Sequence, residues 1–214
     1  MNDTDQLELA SLLCSRLCHD LLSPVGALTN GLELLSDERD AEMRQRCFEL
    51  LEQSARISAD KLKFFRLAFG AAGGFGESVP VDEAKAVTEA LVGDAKRVTL
   101  NWALTADRMP KGAVKVMLNF AQIGLDALVR GGTLDVGAES RNGASEIVVR
   151  AAGPRIAFDE TIGRALENRL DPGELSSRTA AAHMLALLAK QAGGGLQFMR
   201  SDDALVLGAV LPEG

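Results

Sequence analysis

"DQLELASLLCSRLCHDLLSPVGALTNGLELL", residues 5–35, carries apolar side chains at intervals of three or four positions. One longer gap, of seven residues, spans Pro24 and Val25. Side chains with this spacing lie on one face of a helix, so the stretch predicts one long amphipathic helix. The apolar positions are Leu7, Ala10, Cys14, Leu17, Leu21, Leu28 and Leu32.

A second long helix is expected to start near Asp37, because Asp favours helix N-termini and the acids Glu38 and Asp40 would lie in the first turn. The intervening segment SDERD is so short that the two helices must be antiparallel neighbours. Residues 5–70 are therefore predicted to form a helical hairpin. Two helices cannot enclose a core, so we expect hairpins from two copies to pair as a homodimeric four-helix bundle. Apolar positions of the second helix are Met43, Cys47, Leu50, Leu51, Ile57, Leu62, Phe65 and Phe69.

The segment GAAGGFGESV, residues 70–79, ends the helical pattern. A phosphate-binding glycine loop would follow a strand and open a helix, whereas this segment follows a helix, so we interpret it as a linker. The chain is accordingly divided into a helical domain at 1–72, a linker at 73–80 and a second domain at 81–214.

Beyond Pro80 the pattern alternates between helical and extended periodicity, which predicts a two-layer α/β sandwich and an α+β class for the whole chain. The residues at 158–170 are predicted to be helical or irregular. The other predicted helices are 82–93, 111–130 and 176–192, and the predicted strands are 97–104, 133–139, 145–151, 196–201 and 204–211.

Composition excludes several classes of partner. The 214 residues carry a formal net charge of −7, which gives no electrostatic footprint for nucleic acid or anionic lipid. Residues 1–13 hold acids where a signal peptide holds positive charge, and no apolar run approaches the roughly 20 residues that span a bilayer. We therefore expect a cytoplasmic protein without membrane contacts.

Cys14, Cys18 and Cys47 are an odd number of cysteines and do not form the pattern of a disulfide framework. A metal site that combines them with His19 is conceivable, but His19 lies about 100° around the helix from Cys18. Free cysteines usually behave as small buried apolar groups. We predict core packing for all three cysteines and no metal site.

His19 is one of two histidines, and its helical neighbours Ser15, Arg16, Leu22 and Ser23 form a mixed face that we expect solvent to reach. Most lone helical histidines have no special role. Here Asp20 follows directly, and Pro24 removes the amide that would bond the carbonyl of Asp20, which loosens the helix near the imidazole. The other histidine, His183, and the single tryptophan, Trp102, are assigned no site, and we expect Trp102 to pack in the core or between domains.

"HDLLSP", residues 19–24, resembles the phosphoacceptor box of histidine-kinase dimerisation domains. In that family, as here, a helical hairpin precedes an α/β sandwich. The resemblance implies that His19 is the phosphoacceptor and that Asp20 orients the imidazole or acts as its base. A neutral imidazole supplies the nucleophilic nitrogen that this chemistry needs.

The second domain resembles the ATP-binding domain of the same kinases, but the nucleotide-contacting positions differ. The magnesium-binding Asn of the family falls at Ile123, and the adenine-reading Asp falls at Ala151. Glycines of the family fall at Arg155, Thr179 and Ala181. Ile123 has no oxygen for a hard cation. The resemblance therefore implies a fold that is retained without ATP binding, and this chain is expected to hold no cofactor.

The resemblance as a whole implies a phosphotransfer protein of a bacterial cell-cycle phosphorelay, in which His19 moves a phosphoryl group between the aspartates of receiver domains. The partners would be the receiver of a CckA-like hybrid kinase and the response regulators of CtrA-like and CpdR-like type, with Mg²⁺ supplied by the receiver. Two alternatives stay open, an active kinase with a divergent ATP site and a non-catalytic dimeric adaptor. Expected docking residues are Ser15, Arg16, Leu22, Ser23 and Gly26.

Overall fold

The structure, a computed structural model, describes residues 3–70, 76–95 and 97–213. The first two elements are the long helices α1 (Asp3–Asp37) and α2 (Ala41–Phe69), which pack antiparallel. The predicted helical hairpin is confirmed. Residues 73–75 of the predicted linker lie outside the described ranges.

The turn between α1 and α2 lies later than the sequence predicted. Asp37 ends α1, and Asp40 caps α2 by accepting a hydrogen bond from the Met43 N–H at 2.9 Å. Arg44 explains the extension of α1, because its Nη1 donates to the carbonyl oxygens of Leu35 and Glu38, at 3.1 and 2.9 Å. These carbonyls would otherwise lack partners at the end of the helix.

The second part of the chain is the predicted α/β sandwich, with a five-stranded sheet in the order β2-β4-β5-β7-β6. Strands β2 and β4 are parallel, and the remaining pairs are antiparallel. Helix α4 packs against β4, β5 and β7, and α6 packs against β6 and β7. The helices are α3 (Val81–Asp94), α4 (Lys111–Ala127), α5 (Glu160–Leu166) and α6 (Ala180–Gln191), and the sheet strands are β2 (Val98–Leu104), β4 (Gly132–Arg141), β5 (Ala144–Ala152), β6 (Gly195–Arg200) and β7 (Ala204–Pro212).

Short elements were missed by the sequence analysis. Strands β1 (Ser78–Pro80) and β3 (Arg108–Pro110) form a two-stranded antiparallel pair, and Pro172–Glu174 forms a 3₁₀ turn. Each strand is too short to show alternation and ends in proline. Helix α4 also stops earlier than predicted: it ends at Ala127, and the chain enters β4 through Gly131 and Gly132, whose φ angles are +81° and +144°.

One hydrophobic core joins the hairpin to the sandwich. Phe64 and Phe65 near the end of α2 pack with buried residues of α4 such as Phe120. Buried Asn119 strengthens the junction, since its Nδ2 donates to the carbonyl oxygens of Lys115 at 2.8 Å and Ala68 at 3.4 Å. Burying an amide requires such partners. The base of the hairpin is thereby fixed against α4.

The outer face of the hairpin is uncovered in the single chain. Leu17 and Leu21 pack against the core, and Cys47 is buried, but Cys14 and Cys18 are exposed. The prediction of core packing is therefore wrong for these two cysteines, which lie on a part of α1 that none of the described elements of the chain covers. Large exposed apolar side chains of the hairpin are Leu7, Leu22, Val25, Leu32, Leu34, Met43, Phe48, Leu50 and Leu62.

Candidate functional site

Helix α1 presents His19 to solvent. The helix continues through Pro24, whose ring is buried, although proline cannot donate to the carbonyl of Asp20. The His19 side chain is 87% exposed, as the sequence predicted for this face. A group carried by a partner protein can therefore reach the imidazole.

Asp20 contacts the imidazole through one oxygen, with His19 Nδ1 and Asp20 Oδ1 3.4 Å apart. With the carboxylate as acceptor, Nδ1 carries the proton and the lone pair of Nε2 is left available. An exposed nucleophilic nitrogen beside an orienting carboxylate is an arrangement suited to covalent transfer.

Arg16 links this pair to the second domain. Its Nε lies 3.8 Å from Asp20 Oδ2, and its Nη2 lies 3.7 Å from Asp126 Oδ2 on α4. Gln122 Nε2 donates to Asp126 Oδ1 at 2.7 Å. Arg16 is one of the predicted docking residues, but its side chain is only 19% exposed and lies toward α4.

Asp126 was not identified from the sequence. The only signal was the spacing of four from Gln122, which is common on helices. The Asp126 side chain is 58% exposed, but its carboxylate faces the groove between α1 and α4, where the surrounding protein atoms raise its pKa while nearby Arg16 opposes the rise.

The other expected docking residues surround His19 on α1. Ser15 and Ser23 are exposed, and Leu22 is 72% exposed. Gly26 is half-buried, with open space where a Cβ would stand. The structure therefore leaves these four residues accessible on the protomer.

A cleft of about 710 Å³ lies between α1 and the sandwich and includes His19, Asp20 and Arg16 in its lining. Three of the positions at which the kinase motifs are altered, Ile123, Arg155 and Ala181, meet on its wall. The other two are buried: Ala151 lies in the core, and Thr179 donates its hydroxyl to the carbonyl oxygen of Glu174 at 3.1 Å.

The rim of the cleft is rich in arginine. Arg178 pairs with Asp159 at 3.1 Å, Arg200 Nη1 donates to the carbonyl oxygen of Phe158 at 3.4 Å, and Arg155 is exposed. Asp159 also caps α5 by accepting from the N–H and hydroxyl of Thr161, at 2.9 and 2.7 Å. These hydrogen bonds, followed by Arg178, hold the pKa of Asp159 below its usual value.

Trp102 and His183, the two residues to which the sequence assigned no site, are both partly buried. Trp102 is partly buried against the core. His183 Nδ1 has no hydrogen-bond partner among the described residues, and burial lowers the pKa of this histidine. Within residues 3–70, 76–95 and 97–213, no three His, Cys, Asp or Glu side chains form a group that could hold a metal ion. Every helix in these ranges is too short or too polar to span a membrane.

The chain combines a helical hairpin that carries an exposed histidine with a sandwich that resembles a kinase domain. Comparison with known proteins identifies the class to which this combination belongs. Residues 81–204 match the family described as the histidine phosphotransferase C-terminal domain, and the chain belongs to this family. It is 33% identical over 204 residues to the protein phosphotransferase ChpT of Brucella abortus (strain 2308), and the match covers 95% of both chains.

Solved structures agree with this assignment. A bacterial phosphotransferase structure matches with a TM-score of 0.82 and 31% identity, over 95% of this chain and 96% of that one. The histidine kinase domain from the Erythrobacter litoralis EL346 blue-light activated histidine kinase matches with a TM-score of 0.50 and 11% identity, over 88% and 95% of the two chains. This second likeness concerns the fold alone. Phosphotransfer is thus the function of the chain.

Proposed function

We propose that His19 is a phosphoryl carrier, which takes the group from the aspartyl phosphate of one receiver domain and passes it to the aspartate of another. The observation that carries this proposal is the exposed imidazole beside Asp20 in a chain of the phosphotransferase family. His183 does not fit the role, because its Nδ1 is buried without a partner in the described part of the chain and its helix offers no adjacent carboxylate.

In the forward step, the lone pair of His19 Nε2 attacks phosphorus and the bond from phosphorus to the receiver's carboxylate oxygen breaks. The carboxylate leaves with the bonding electrons, and the imidazole, still protonated on Nδ1, becomes positively charged. Asp20 stabilises that charge through its contact with Nδ1. In the second step, a carboxylate oxygen of the next receiver attacks phosphorus and Nε2 leaves.

Positioning and charge stabilisation supply most of the catalysis in phosphoryl transfer. We assign the Mg²⁺ of the reaction to the acids of the receiver and none to this chain. Arginines on the rim of the cleft favour the approach of an acidic receiver surface, since complementary charge speeds association. Docking would use Ser15, Leu22, Ser23 and Gly26 around His19, with Leu22 as the apolar anchor and Arg16 behind them.

The partners proposed for this cycle are a CckA-like hybrid kinase and CtrA-like and CpdR-like regulators. The chain would act in the cytoplasm as a homodimer. Support for the dimer comes from the exposed apolar side chains on both hairpin helices. They are more numerous than the scattered single apolar residues that are normal on a protein surface. Pairing of two hairpins would cover most of them in a four-helix bundle, while Leu22, beside His19, would stay free for receiver docking.

ATP is not expected to enter the cycle. A nucleotide site combines Mg²⁺ ligands, backbone amides and a base contact. This chain has Ile123 in place of the magnesium ligand, Arg155 and Ala181 in place of glycines, and buried Ala151 in place of the adenine-reading Asp. The alternative of an active kinase would require all three functions to come from other residues.

One experiment separates the carrier from the kinase and the adaptor. Wild-type chain, His19→Ala and the control His183→Ala are each incubated with a ³²P-labelled receiver and Mg²⁺, and in parallel with labelled ATP. We expect label from the receiver on wild type and His183→Ala only, and none from ATP. Label from ATP would indicate a kinase, whereas binding of the receiver without transfer would indicate an adaptor.

A further inference from the structure

We propose that Asp126 is a positioning residue for His19, acting from the second domain through Arg16 and Asp20. This inference rests on the proposed role of His19. It concerns a carboxylate on α4, outside the helix that carries the phosphoacceptor.

Contacts connect the two carboxylates without a break. His19 Nδ1 is 3.4 Å from Asp20 Oδ1, Arg16 Nε is 3.8 Å from the other oxygen of Asp20, and Arg16 Nη2 is 3.7 Å from Asp126 Oδ2. Asp126 is in turn held by Gln122 at 2.7 Å. The imidazole is thereby linked to a helix whose inner face lies in the core of the sandwich.

A small cavity of about 160 Å³ contains the charges of this network. Arg16 and Asp20 come from α1, Lys61 comes from α2, and Asp126 comes from α4. Two cations and two anions therefore meet where both helices of the hairpin reach the second domain. Its remaining lining consists of Gln122 and the apolar residues Phe64, Phe65 and Leu91.

Arg16 lies at nearly equal distances from the two carboxylates. A guanidinium that is mostly buried requires counter-charge, so its attraction is divided between Asp20 and Asp126. If Asp126 lost its charge, Arg16 would turn to Asp20 alone. Asp20 would then be drawn toward Arg16, and its hold on the imidazole N–H would weaken.

The consequence for the reaction lies in the tautomer of His19. Attack by Nε2 requires the proton on Nδ1, and the Asp20 carboxylate favours that tautomer by accepting from Nδ1. Asp126 keeps Asp20 available for this contact. Docking of the sandwich against α1 is thus part of how the phosphoacceptor is oriented.

The test uses Asp126→Asn, which preserves the size of the side chain, and the control Asp135→Asn, which removes a carboxylate paired with Arg150 at 3.0 Å on the sheet. Imidazole ¹⁵N shifts are recorded about two pH units above the ordinary histidine pKa of about 6.5. We expect Asp126→Asn to reduce the Nδ1–H fraction of His19 and to slow the bound transfer step about three- to fivefold, with the receiver KM unchanged. His183 and the control should keep wild-type values.

A second background distinguishes action through Arg16 from a direct effect of charge. In Arg16→Gln, the further change Asp126→Asn should leave the tautomer ratio and the transfer rate unaltered, because the connecting cation is absent. An equal effect in both backgrounds, or a wild-type tautomer ratio in Asp126→Asn, would overturn the inference. The tautomer ratio is measured without any receiver, so it tests the inference about Asp126 on its own. Failure of the wild-type chain to transfer a phosphoryl group would refute the proposed function, and it is a separate result.

Discussion

Nδ1 of His19 lies 3.4 Å from Oδ1 of Asp20, and the rest of the imidazole faces solvent. One ring nitrogen is therefore held within the chain while the other is open to a partner protein. The two nitrogens differ in this way because His19 and Asp20 are adjacent on α1, so their contact depends on no other element. The second domain adds Asp126, which contacts Arg16, the other partner of Asp20.

Replacement of Asp20 by Asn should slow transfer to His19. The amide oxygen can still accept from Nδ1, but the negative charge that stabilises the phosphorylated imidazole is lost. We expect the single-turnover rate from a labelled receiver to fall about 100-fold. Asp60→Asn is the matched control, because Asp60 pairs with Lys63 at 2.9 Å elsewhere on the hairpin. A wild-type rate in Asp20→Asn would remove Asp20 from the chemistry.

Leu22 tests the docking surface. The variant Leu22→Asp should bind the receiver about tenfold more weakly or worse, as measured by calorimetry. Docking would then bury a charged carboxylate where the wild type buries an apolar side chain. Met199→Asp is the control, since Met199 is 69% exposed on β6. Sedimentation of both variants checks that the oligomeric state is unchanged. Equal receiver affinity for Leu22→Asp and wild type would mean that the receiver docks elsewhere.

The homodimer is tested on the hairpin face. We expect wild type to sediment as a dimer and the variant Leu32→Asp/Phe48→Asp to sediment as a monomer, because both side chains are exposed on the protomer and would carry charge into the bundle. Val148→Asp, on an exposed position of β5, should remain dimeric. A monomeric wild type across micromolar concentrations would contradict the bundle.

Asp159 predicts a pH-dependent contribution to stability. Its pKa is lowered in the folded chain, first by Thr161 and then by Arg178, so the contribution is present above the unfolded pKa of about 3.9 and is lost as pH falls through the folded value. Asp159→Ala should lower the free energy of unfolding by about 1 kcal/mol at neutral pH. Urea titrations should show this difference shrinking as the pH falls below the unfolded pKa and the wild-type carboxyl takes up its proton. A difference that is constant with pH would contradict the assignment.

Periodicity was sufficient to predict the hairpin and the sandwich. Spacings of three and four identified α1 and α2, and alternation identified strands such as β5 and β7, because each has one face in the core. The end of α1 was missed because Arg44, seven residues beyond Asp37, donates to the carbonyl oxygen of Leu35 in its last turn and to that of Glu38 just after it. Contacts of that kind depend on tertiary position.

The site was only partly predictable. His19 and Asp20 are neighbours in sequence, so their contact follows from the helix, but the approach of Asp126 to Arg16 depends on how α4 packs against α1. The exposure of Cys14 and Cys18 was missed for a related reason. An apolar stripe indicates that a face will be covered, and it does not indicate whether the cover comes from the same chain or from a second copy.

The most direct test of the central claim is a two-step relay. Chain labelled by a phosphorylated receiver is separated from it and then mixed with a second, unlabelled receiver and Mg²⁺. The account predicts that label passes from wild type and from His183→Ala to the second receiver, while His19→Ala never acquires it. Relay of label by His19→Ala, or label on wild type that no second receiver can remove, would contradict the role of His19 as a carrier.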